Sequence, residues 1–400
     1  MYDVIVVGAR CAGAPAALLL ARAGYRVLVL ERAAVGTDTL STHFVHQPGV
    51  AALARWGLLD ALKATGCPPL ETARYEVAGI RLDGRPRGVD GQRAAYSPRR
   101  YVLDALLAGA AADAGAELRE RCRVTGLVRD GTGRVAGVTG THRGRTFTEH
   151  ARLVIGADGM RSTVADLTGA PYTVRNARLT CAYYGYWTGM PAAPAAYELY
   201  ERAGGWVAAV ATHGGATLVL TYFPQARFDE VRADAVRHHA GQVRATAPAL
   251  YERMRAGEQA ERLRGTGDQR NFFRRAAGPG WALIGDAAHH KDSITARGIT
   301  DAFTQVETLV RTIGDDLAGD PARLDAALEA YADGHHAALA PGYATTLDVA
   351  RLAPPPGRRL ALLRAVRSDP ELTSTYFDTF AGSADITALY TPALLSRLAA

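Results

Sequence analysis

A carboxylate and the start of a helix lie close together in the segment IGDAAHHKDSITARGITDAF, residues 284–303. The apolar run before Gly285 predicts a short strand that ends there and presents Asp286 at its tip. Apolar residues then recur at helical spacing, which predicts an amphipathic helix that begins near Gly298, with Ile299 as its first apolar residue. Because the N-terminus of a helix carries partial positive charge, this segment could stabilise a negative charge that develops in front of it.

A second group of chemically informative residues lies in the first 31 residues, whose pattern predicts strand, tight turn, helix and strand. Gly8 would make the turn and Gly13 would let the helix approach the strand, so that backbone N–H groups face a pyrophosphate. Glu31 ends the second strand, where it could accept hydrogen bonds from both hydroxyls of a ribose. Its negative charge would repel a 2′-phosphate, so the pattern predicts FAD or NAD and not NADP.

Two residues in this turn depart from a plain glycine-rich pattern. Arg10 stands where the middle glycine would be, so its side chain must turn away from the phosphates or lie alongside them and donate to them. Cys11 would lie at a helix N-terminus, a position that can lower the pKa of a thiol. We favour the simpler interpretation of Cys11 as a small packing residue.

The composition limits the remaining possibilities. The 400 residues are 48% hydrophobic and 22% charged, with a formal net charge of +6. The basic residues are spread along the chain and almost all are arginines, Lys63 and Lys291 being the only lysines, so we expect no nucleic-acid partner. The four cysteines are far apart, which predicts no metal site and a reducing compartment. The first strand begins at Asp3 and no long apolar run is free of charge, so we expect no signal peptide, no membrane span and a cytoplasmic location.

Two later segments repeat the pattern of an apolar strand followed by glycine and aspartate. ARLVIGADGMRSTVADLTG contains Asp158, and GWALIGDAAHH contains Asp286. The resulting GxxxxG, DG and GD motifs resemble, in order and spacing, those of the flavoprotein hydroxylase superfamily. This superfamily has the fold of para-hydroxybenzoate hydroxylase and includes FAD-dependent monooxygenases and geranylgeranyl-reductase-like enzymes. The resemblance covers residues 3–172 and about 270–335.

The resemblance implies FAD as the cofactor. The helix that begins near Gly298 would then point at the pyrimidine edge of the flavin ring and stabilise its reduced, anionic form. The positions that the resemblance assigns to the cofactor are Gly8, Arg10, Cys11, Ala12 and Gly13 around the pyrophosphate, Glu31 and Arg32 at the adenosine ribose, Ser41 beside the ring, Arg100 near the phosphates or ribityl chain, Val124 at the adenine, Asp158 behind the cofactor, Asp286 at the ribityl and phosphate region, and Gly298 and Ile299 at the ring.

The residues that would face the reacting part of the flavin differ from those of the hydroxylases. Ser293 and Thr295 stand where that family normally holds a Pro-x-Gly pattern, so the region is more polar and more crowded and does not by itself imply oxygen activation. His43 and His46 lie where relatives pass beside the ring, and an imidazole could protonate a substrate near neutral pH. Alternatively, one histidine binds phosphate and the other packs. These four residues are candidates only, and the sequence assigns no catalytic residue.

The middle of the chain predicts a second, mostly antiparallel sheet. Residues 179–224 form successive strand-like runs rich in aromatic residues, which predict either a pocket for a flat substrate or plain sheet packing. Residues 74–98 predict a hairpin that turns at Asp83-Gly84 and joins this sheet. The expected fold is therefore α/β, with a glutathione-reductase-type FAD-binding domain. The expected division is 1–73, 99–172 and 272–400 for the FAD-binding domain with a C-terminal helical cap, and 74–98 and 173–271 for the substrate domain.

The leading hypothesis is an FAD-dependent oxidoreductase of the hydroxylase fold. NAD(P)H would bind transiently and reduce the flavin, which would then oxygenate a small aromatic or polyene-type molecule of specialised metabolism. One alternative is an FAD-dependent reductase of an activated C=C bond that works without oxygen, and another is a flavin-binding redox sensor that catalyses nothing. Halogenation is disfavoured because the WxWxIP motif of flavin-dependent halogenases is absent. We expect a monomer or a homodimer.

Overall fold

The protein combines parallel and antiparallel sheets with helices in this computed structural model, which describes residues 1–399. The strands are β1 Tyr2–Val7, β2 Val27–Glu31, β3 Pro69–Leu70, β4 Ala73–Val77, β5 Ile80–Gly84, β6 Ala95–Tyr96, β7 Glu117–Glu120, β8 Cys122–Arg129, β9 Val135–His142, β10 Arg145–Gly156, β11 Tyr172–Asn176, β12 Thr180–Thr188, β13 Tyr197–Arg202, β14 Gly205–Ala211, β15 Thr217–Pro224, β16 Glu258–Gln259, β17 Arg264–Thr266, β18 Asn271–Arg274, β19 Ala277–Gly278, β20 Trp281–Leu283 and β21 His289–His290.

Helices occur between the strands and after the last strand. The mixed α/β class predicted from the sequence is therefore confirmed. The helices are α1 Gly13–Arg22, α2 Gln47–Arg55, α3 Leu59–Ala64, α4 Arg100–Asp113, α5 Thr163–Thr168, α6 Phe228–Ala233, α7 Ala235–Thr246, α8 Pro248–Arg255, α9 Gly298–Ile313, α10 Pro321–Ala350, α11 Gly357–Arg367, α12 Pro370–Ala381 and α13 Pro392–Ala399. Among residues 1–399, no helix has both the length and the apolar character that crossing a bilayer requires.

Five strands run parallel in the order β20-β10-β1-β2-β7. The apolar runs of the sequence form the inner strands, and every residue of β2 is buried, as in a sheet covered on both faces. α1 packs against α4 and α9. Because parallel strands end at the same edge of a sheet, the turns that follow β1, β10 and β20 meet there. These turns begin at Gly8, Ala157 and Ile284, so the three predicted motifs converge.

A second sheet has the order β16-β12-β15-β14-β13-β4-β5, with β17 also paired to β12. All its pairs are antiparallel except that of β13 with β4. The hairpin β4–β5 joins this sheet as predicted, but the predicted turn at Asp83-Gly84 is wrong because those residues pair with β4 inside the hairpin. The chain turns at Ala78 and Gly79, whose φ angles of 49° and 75° are both positive, as the tight turns of two-residue hairpins require.

The C-terminal helices share a hydrophobic core with the second sheet. Leu363 of α11, Leu372 and Phe377 of α12 and Leu394 of α13 belong to the same buried cluster as Tyr75 of β4. The predicted C-terminal cap therefore packs on the second sheet, although the expected division placed it with the FAD-binding segments. That division into domains stays a prediction.

Candidate functional site

The turns at the carboxyl edge of the parallel sheet enclose a cleft of about 730 Å³, called the large cleft below. Its walls come from the β1–α1 turn, the loop after β2, strand β8, the turn after β10 and the segment from Gly285 to Gln305. Proteins with open parallel sheets bind ligands at this edge, and the volume is within the range of cofactor sites, about 300–1,000 Å³.

Two glycines let the first turn of the large cleft close tightly. A Cβ on Gly13 would lie 1.8 Å from the carbonyl oxygen of Gly8, so only glycine lets α1 start this close to β1. Gly8 has a φ of 104°, and a Cβ there would lie 2.5 Å from the carbonyl oxygen of Ala157. The turn after β1 thus packs directly on the turn after β10. The residues just before α1, Cys11 and Ala12, line the cleft.

Glu31 is fixed at the end of β2 by the backbone. One carboxylate oxygen accepts from the N–H of Ala9 and the other from the N–H of Ala33, each at 2.9 Å. The residue is buried, yet it lines the large cleft. Each carboxylate oxygen has a further lone pair, so the group can still accept hydrogen bonds from ligand hydroxyls.

A buried carboxylate that the sequence analysis missed organises the wall beside this turn. Asp104 of α4 is 1% exposed, and it accepts from Arg100 Nη2 at 3.0 Å and from Cys11 Sγ at 3.3 Å. Arg10 approaches it to 3.8 Å and also donates to Thr37 Oγ1 at 3.1 Å. The spacing of four residues between Arg100 and Asp104 on a predicted helix was the available signal.

The thiol of Cys11 is not activated by its place at the start of α1. Desolvation raises the pKa of Cys11 well above its ordinary value, and the nearby Arg100 opposes this shift only in part. The interpretation of Cys11 as a reactive thiol is therefore wrong, and the residue packs in the first buried core.

The two motif aspartates have different surroundings. Asp158 accepts from Ser162 Oγ at 2.5 Å and from the N–H of Thr163 at 2.7 Å, which holds the turn before α5 in place. Desolvation raises the pKa of Asp158, and these hydrogen bonds oppose the shift. Asp286 is exposed between the buried residues Gly285 and Ala287, so its carboxylate points into the large cleft.

Thirteen of the fourteen residues predicted to bind the cofactor line this one cleft, and Gly13 lies behind its wall next to Gly8. The helix predicted to begin near Gly298 begins at that residue, and its first turn faces the cleft. The cofactor contacts themselves stay predictions. The thirteen are Gly8, Arg10, Cys11, Ala12, Glu31, Arg32, Ser41, Arg100, Val124, Asp158, Asp286, Gly298 and Ile299.

A second, much smaller cavity of about 30 Å³ lies against the second sheet and is called the aromatic cavity below. It shares Thr42 with the large cleft. Almost all of its wall is aromatic or aliphatic. The aromatic residues of 179–224 were predicted either to line a pocket or to pack within the sheet. Tyr197 and Tyr222 line this cavity, and most of the others pack. Its other lining residues are Phe44, His46, Leu199, Ala208, Val210, Leu220, Ile294, Thr295, Ala296 and Phe380.

Ser293 and Thr295, which replace the hydroxylase proline pattern, face different spaces. Ser293 lines the large cleft, where its hydroxyl donates to Gln269 Oε1 at 2.5 Å and lies 3.0 Å from the Tyr222 hydroxyl. Thr295 is buried, lines the aromatic cavity and shares a hydrogen bond of 2.7 Å with the Thr346 hydroxyl. The Tyr222–Ser293 contact therefore joins the walls of the two spaces.

His43 and His46 are both buried, and neither lines the large cleft. His43 has a φ of 60°, lies with Nε2 2.6 Å from the Tyr186 hydroxyl and lines neither space. His46 lines the aromatic cavity, and its Nε2 lies 3.1 Å from the carbonyl oxygen of Thr295, which can only accept, so Nε2 carries a proton. Burial lowers the pKa of each histidine to about 3, which disfavours a general-acid role near neutral pH, and the roles of both residues stay predictions.

The large cleft has the features that FAD requires. Glycine at positions 8 and 13 lets the first turn pack tightly enough for α1 to begin at the cleft, and a fixed carboxylate, Glu31, stands where an adenosine ribose would be. Arg100 provides a cation in the wall, and the N-terminus of α9, which also lines the cleft, adds partial positive charge. These groups match an elongated, hydroxylated, anionic ligand.

Comparison with known proteins identifies the class. Residues 1–339 match the family described as "FAD binding domain", and the chain belongs to this family. It is 28% identical over 315 residues to digeranylgeranylglycerophospholipid reductase of Methanocella arvoryzae, with 76% of this chain and 75% of that protein covered. It is also 28% identical over 309 residues to 6-methylpretetramide 4-monooxygenase of Streptomyces rimosus, with 75% of this chain and 72% of that protein covered.

Solved structures show the same fold. The myxobacterial chondrochloren halogenase superposes with a TM-score of 0.79 over 99% of this chain and 95% of its own, at 19% sequence identity. The predicted resemblance to FAD-dependent monooxygenases and geranylgeranyl-reductase-like enzymes is confirmed, and so is FAD as the cofactor. The protein is an FAD-dependent oxidoreductase, and its relatives include both oxygenases and reductases.

Proposed function

We propose that this protein is an FAD-dependent monooxygenase in which NAD(P)H reduces the flavin and a small aromatic or polyene-type molecule is oxygenated. The observation that carries the proposal is the aromatic cavity at the α9 end of the large cleft. It shares Thr42 with the cleft, and its wall is joined to the cleft wall through Tyr222 and Ser293. An apolar space next to a redox cofactor suits an apolar substrate held by shape and few polar groups.

The large cleft would hold FAD in a glutathione-reductase-type domain, with the adenosine near Glu31 and Val124 and the flavin ring near the N-terminus of α9. When bound, FAD would supply two-electron redox chemistry and, once reduced, reactivity towards molecular oxygen. The backbone N–H groups at the start of α1 would bind the diphosphate, and Arg100 would stay oriented by its buried partner Asp104. Asp286 would accept hydrogen bonds from ligand hydroxyls.

The aromatic cavity would admit substrate only after a side chain moves. Its volume of about 30 Å³ is that of about one water molecule in the liquid, far less than an aromatic ring needs. Phe380 of α12 is half-buried and closes one side, 6.2 Å from the His46 ring between centroids. Displacement of Phe380 would therefore open the cavity while the second sheet keeps its packing.

A reductase of an activated C=C bond is the second candidate. The similarity to a protein named digeranylgeranylglycerophospholipid reductase favours it, as does the polar Ser293–Thr295 segment in place of the hydroxylase proline pattern. In this case the hydroxyl of Ser293, which faces the large cleft, would be a candidate proton donor. The aromatic cavity would serve either reaction.

Anaerobic reduction of the purified holoprotein separates these candidates. The flavin absorbance is followed while NADH or NADPH is added, and air and candidate substrates are then admitted in turn. Incorporation of isotopically labelled oxygen from O₂ into product supports the monooxygenase. Reoxidation of the flavin by substrate in the absence of oxygen would instead establish the reductase. Failure of both nicotinamides to reduce the flavin would contradict the proposed donor.

A further inference from the structure

A buried lysine lines the large cleft. Lys291 is one of only two lysines among the 46 basic residues, the rest being arginines, and Lys63, the other, is largely exposed on α3. The Lys291 side chain is 5% exposed and forms an ion pair with Asp301 in the first turn of α9. In a chain that uses arginine almost everywhere, one of the buried cations of the cofactor cleft is therefore a lysine.

Within the group formed by Lys291, Asp301 and Arg297, the charges do not cancel. Asp301 contacts Lys291 and also lies 3.5 Å from Arg297 Nε, so one carboxylate faces two cations. Desolvation opposes the ionised form of Asp301, but Lys291 and Arg297 lower its pKa to about 2. Asp301 is thus an anion at neutral pH. The three side chains have a net charge of +1, and they surround the first turn of α9, whose N-terminus adds partial positive charge.

A purely structural explanation is that the pair ties the loop after β21 to α9. This explanation accounts for the contact, but not for the place of both side chains in the wall of the large cleft. A lysine ammonium is a compact point charge, whereas a guanidinium spreads its charge over a planar fork. A compact cation fits between Asp301 and His289 Nε2, which is 3.5 Å from Lys291 Nζ.

We propose that Lys291 is an electrostatic group of the flavin site, which stabilises the negative charge of the reduced flavin and thereby raises its reduction potential. Reduction by two electrons with uptake of one proton leaves one negative charge on the flavin ring. A fixed cation nearby favours that state over the neutral oxidised one. The inference rests on the proposed position of the flavin ring at the N-terminus of α9.

Two substitutions that change the charge of the Lys291–Asp301 pair in opposite directions test this inference. The reduction potential of the holoprotein is measured by equilibrium titration against a redox dye. Lys291→Met should lower the potential, so that the ratio of reduced to oxidised flavin at a fixed solution potential falls roughly tenfold, as expected for one charge about 10 Å away at an effective dielectric constant of about 20. Asp301→Asn should raise the ratio by a similar factor. The dissociation constant of FAD is measured for each variant as a second readout.

A buried ion pair elsewhere provides the matched control. Arg253 and Glu198 contact each other at 2.5 Å with side chains 14% and 2% exposed, and neither lines the large cleft or the aromatic cavity. Arg253→Met should lower the melting temperature without changing the potential. If Lys291→Met does not fold, the upward shift in Asp301→Asn still tests the inference.

Two negative outcomes have different meanings. Asp286→Asn removes a carboxylate that lines the same cleft and should raise the potential. If Asp286→Asn shifts the potential while Lys291→Met and Asp301→Asn leave it unchanged, the role of Lys291 is refuted and the proposed position of the ring stands. If all three variants leave the potential unchanged, the flavin ring lies elsewhere and the proposed function fails in its geometry.

Discussion

The large cleft and the aromatic cavity are built by different means. The large cleft, about 730 Å³, is formed mainly by turns that follow parallel strands, and close backbone packing at Gly8 and Gly13 shapes its centre. The aromatic cavity, about 30 Å³, is formed by side chains of the second sheet, of the Ser293–Thr295 turn and of α12. The first space is large and largely set by backbone, whereas the second is small and set by side chains.

This difference separates cofactor binding from substrate choice. A site made by backbone turns needs few specific residue types, so many relatives with different reactions can share it. A site made by side chains from distant parts of the chain can change by single substitutions. The relatives named as reductase and as monooxygenase fit this division, because both resemble this FAD-binding chain over about three quarters of its length and differ in the reaction that their names state.

The comparison of the large cleft with the aromatic cavity predicts a large loss of FAD affinity for a substitution at Gly13. Gly13→Ala places a Cβ 1.8 Å from the Gly8 carbonyl oxygen, which must push α1 away from β1. We expect FAD affinity to fall more than about 100-fold, equivalent to about 3 kcal/mol, as measured by fluorescence titration of the apoprotein. Gly109→Ala in α4 is the control, because a Cβ there meets no atom within 4 Å and should leave affinity unchanged. Normal FAD binding by Gly13→Ala would show that the turn does not shape the cleft.

An effect of similar size, on the stability of the fold, is expected from Asp104→Ala. The substitution leaves Arg100 buried without its partner, which costs about 3–5 kcal/mol in the free energy of unfolding. Denaturant unfolding measures this loss, and the variant should also bind FAD more weakly because Arg100 is no longer oriented. Asp113→Ala, at an exposed position of the same helix, should change stability by no more than about 0.5 kcal/mol. Equal stabilities of the two variants would contradict the role given to Asp104.

The contrast between a site made by backbone turns and a site made by side chains also explains which residues could be predicted from the sequence. Gly8, Gly13, Glu31 and Asp286 stand in short local motifs whose geometry follows from strand, turn and helix periodicity, so their convergence could be predicted. For Asp104, only the pair with Arg100 four residues before it had a local signal, whereas its contacts with Arg10 and Cys11, about 93 residues away in the chain, had none. A buried partner at such separation has no local signal.

Which residues line the aromatic cavity could not be predicted from the sequence, for a related reason. Ser293 and Thr295 are two residues apart, yet one lines the large cleft and the other the aromatic cavity, because the chain makes a single tight helical turn between them. His43 and His46 likewise differ in surroundings because His43 has a positive φ. Periodicity does not report such local changes of direction, and burial, which shifts the pKa of both histidines, depends on the whole fold.

The third prediction tests whether Phe380 closes the aromatic cavity. Phe380→Ala should open it, so that aromatic compounds bind the holoprotein roughly tenfold more tightly, as burial of about 55 Å² more apolar surface implies at about 25 cal/mol per Å². Quenching of flavin fluorescence by a series of aromatic compounds of increasing size measures this change. Tyr390→Ala, at an exposed position outside both spaces, is the control. Identical binding by wild type and Phe380→Ala would place the substrate elsewhere.

The last prediction concerns the pH dependence of stability that His46, in the wall of the aromatic cavity, contributes. Burial, helped by the charge of Arg297, lowers the pKa of His46 to about 3 in the folded protein, whereas an unfolded histidine titrates near 6.5. Between these values the unfolded state binds one proton more than the folded state. Stability must therefore fall as the pH decreases below about 6.5, by about 1.4 kcal/mol per pH unit for this group.

The substitution His46→Gln removes that contribution. Between pH 6 and pH 4, the free energy of unfolding of His46→Gln should depend on pH less steeply than that of the wild type, by about 1.4 kcal/mol per unit. His150→Gln, at an exposed position of β10, should leave the slope unchanged, because that imidazole meets solvent in both states. An unchanged slope in His46→Gln would mean that the imidazole is hydrated when the protein is folded. The aromatic cavity would then be open to water, and the contrast with the large cleft would be one of size alone.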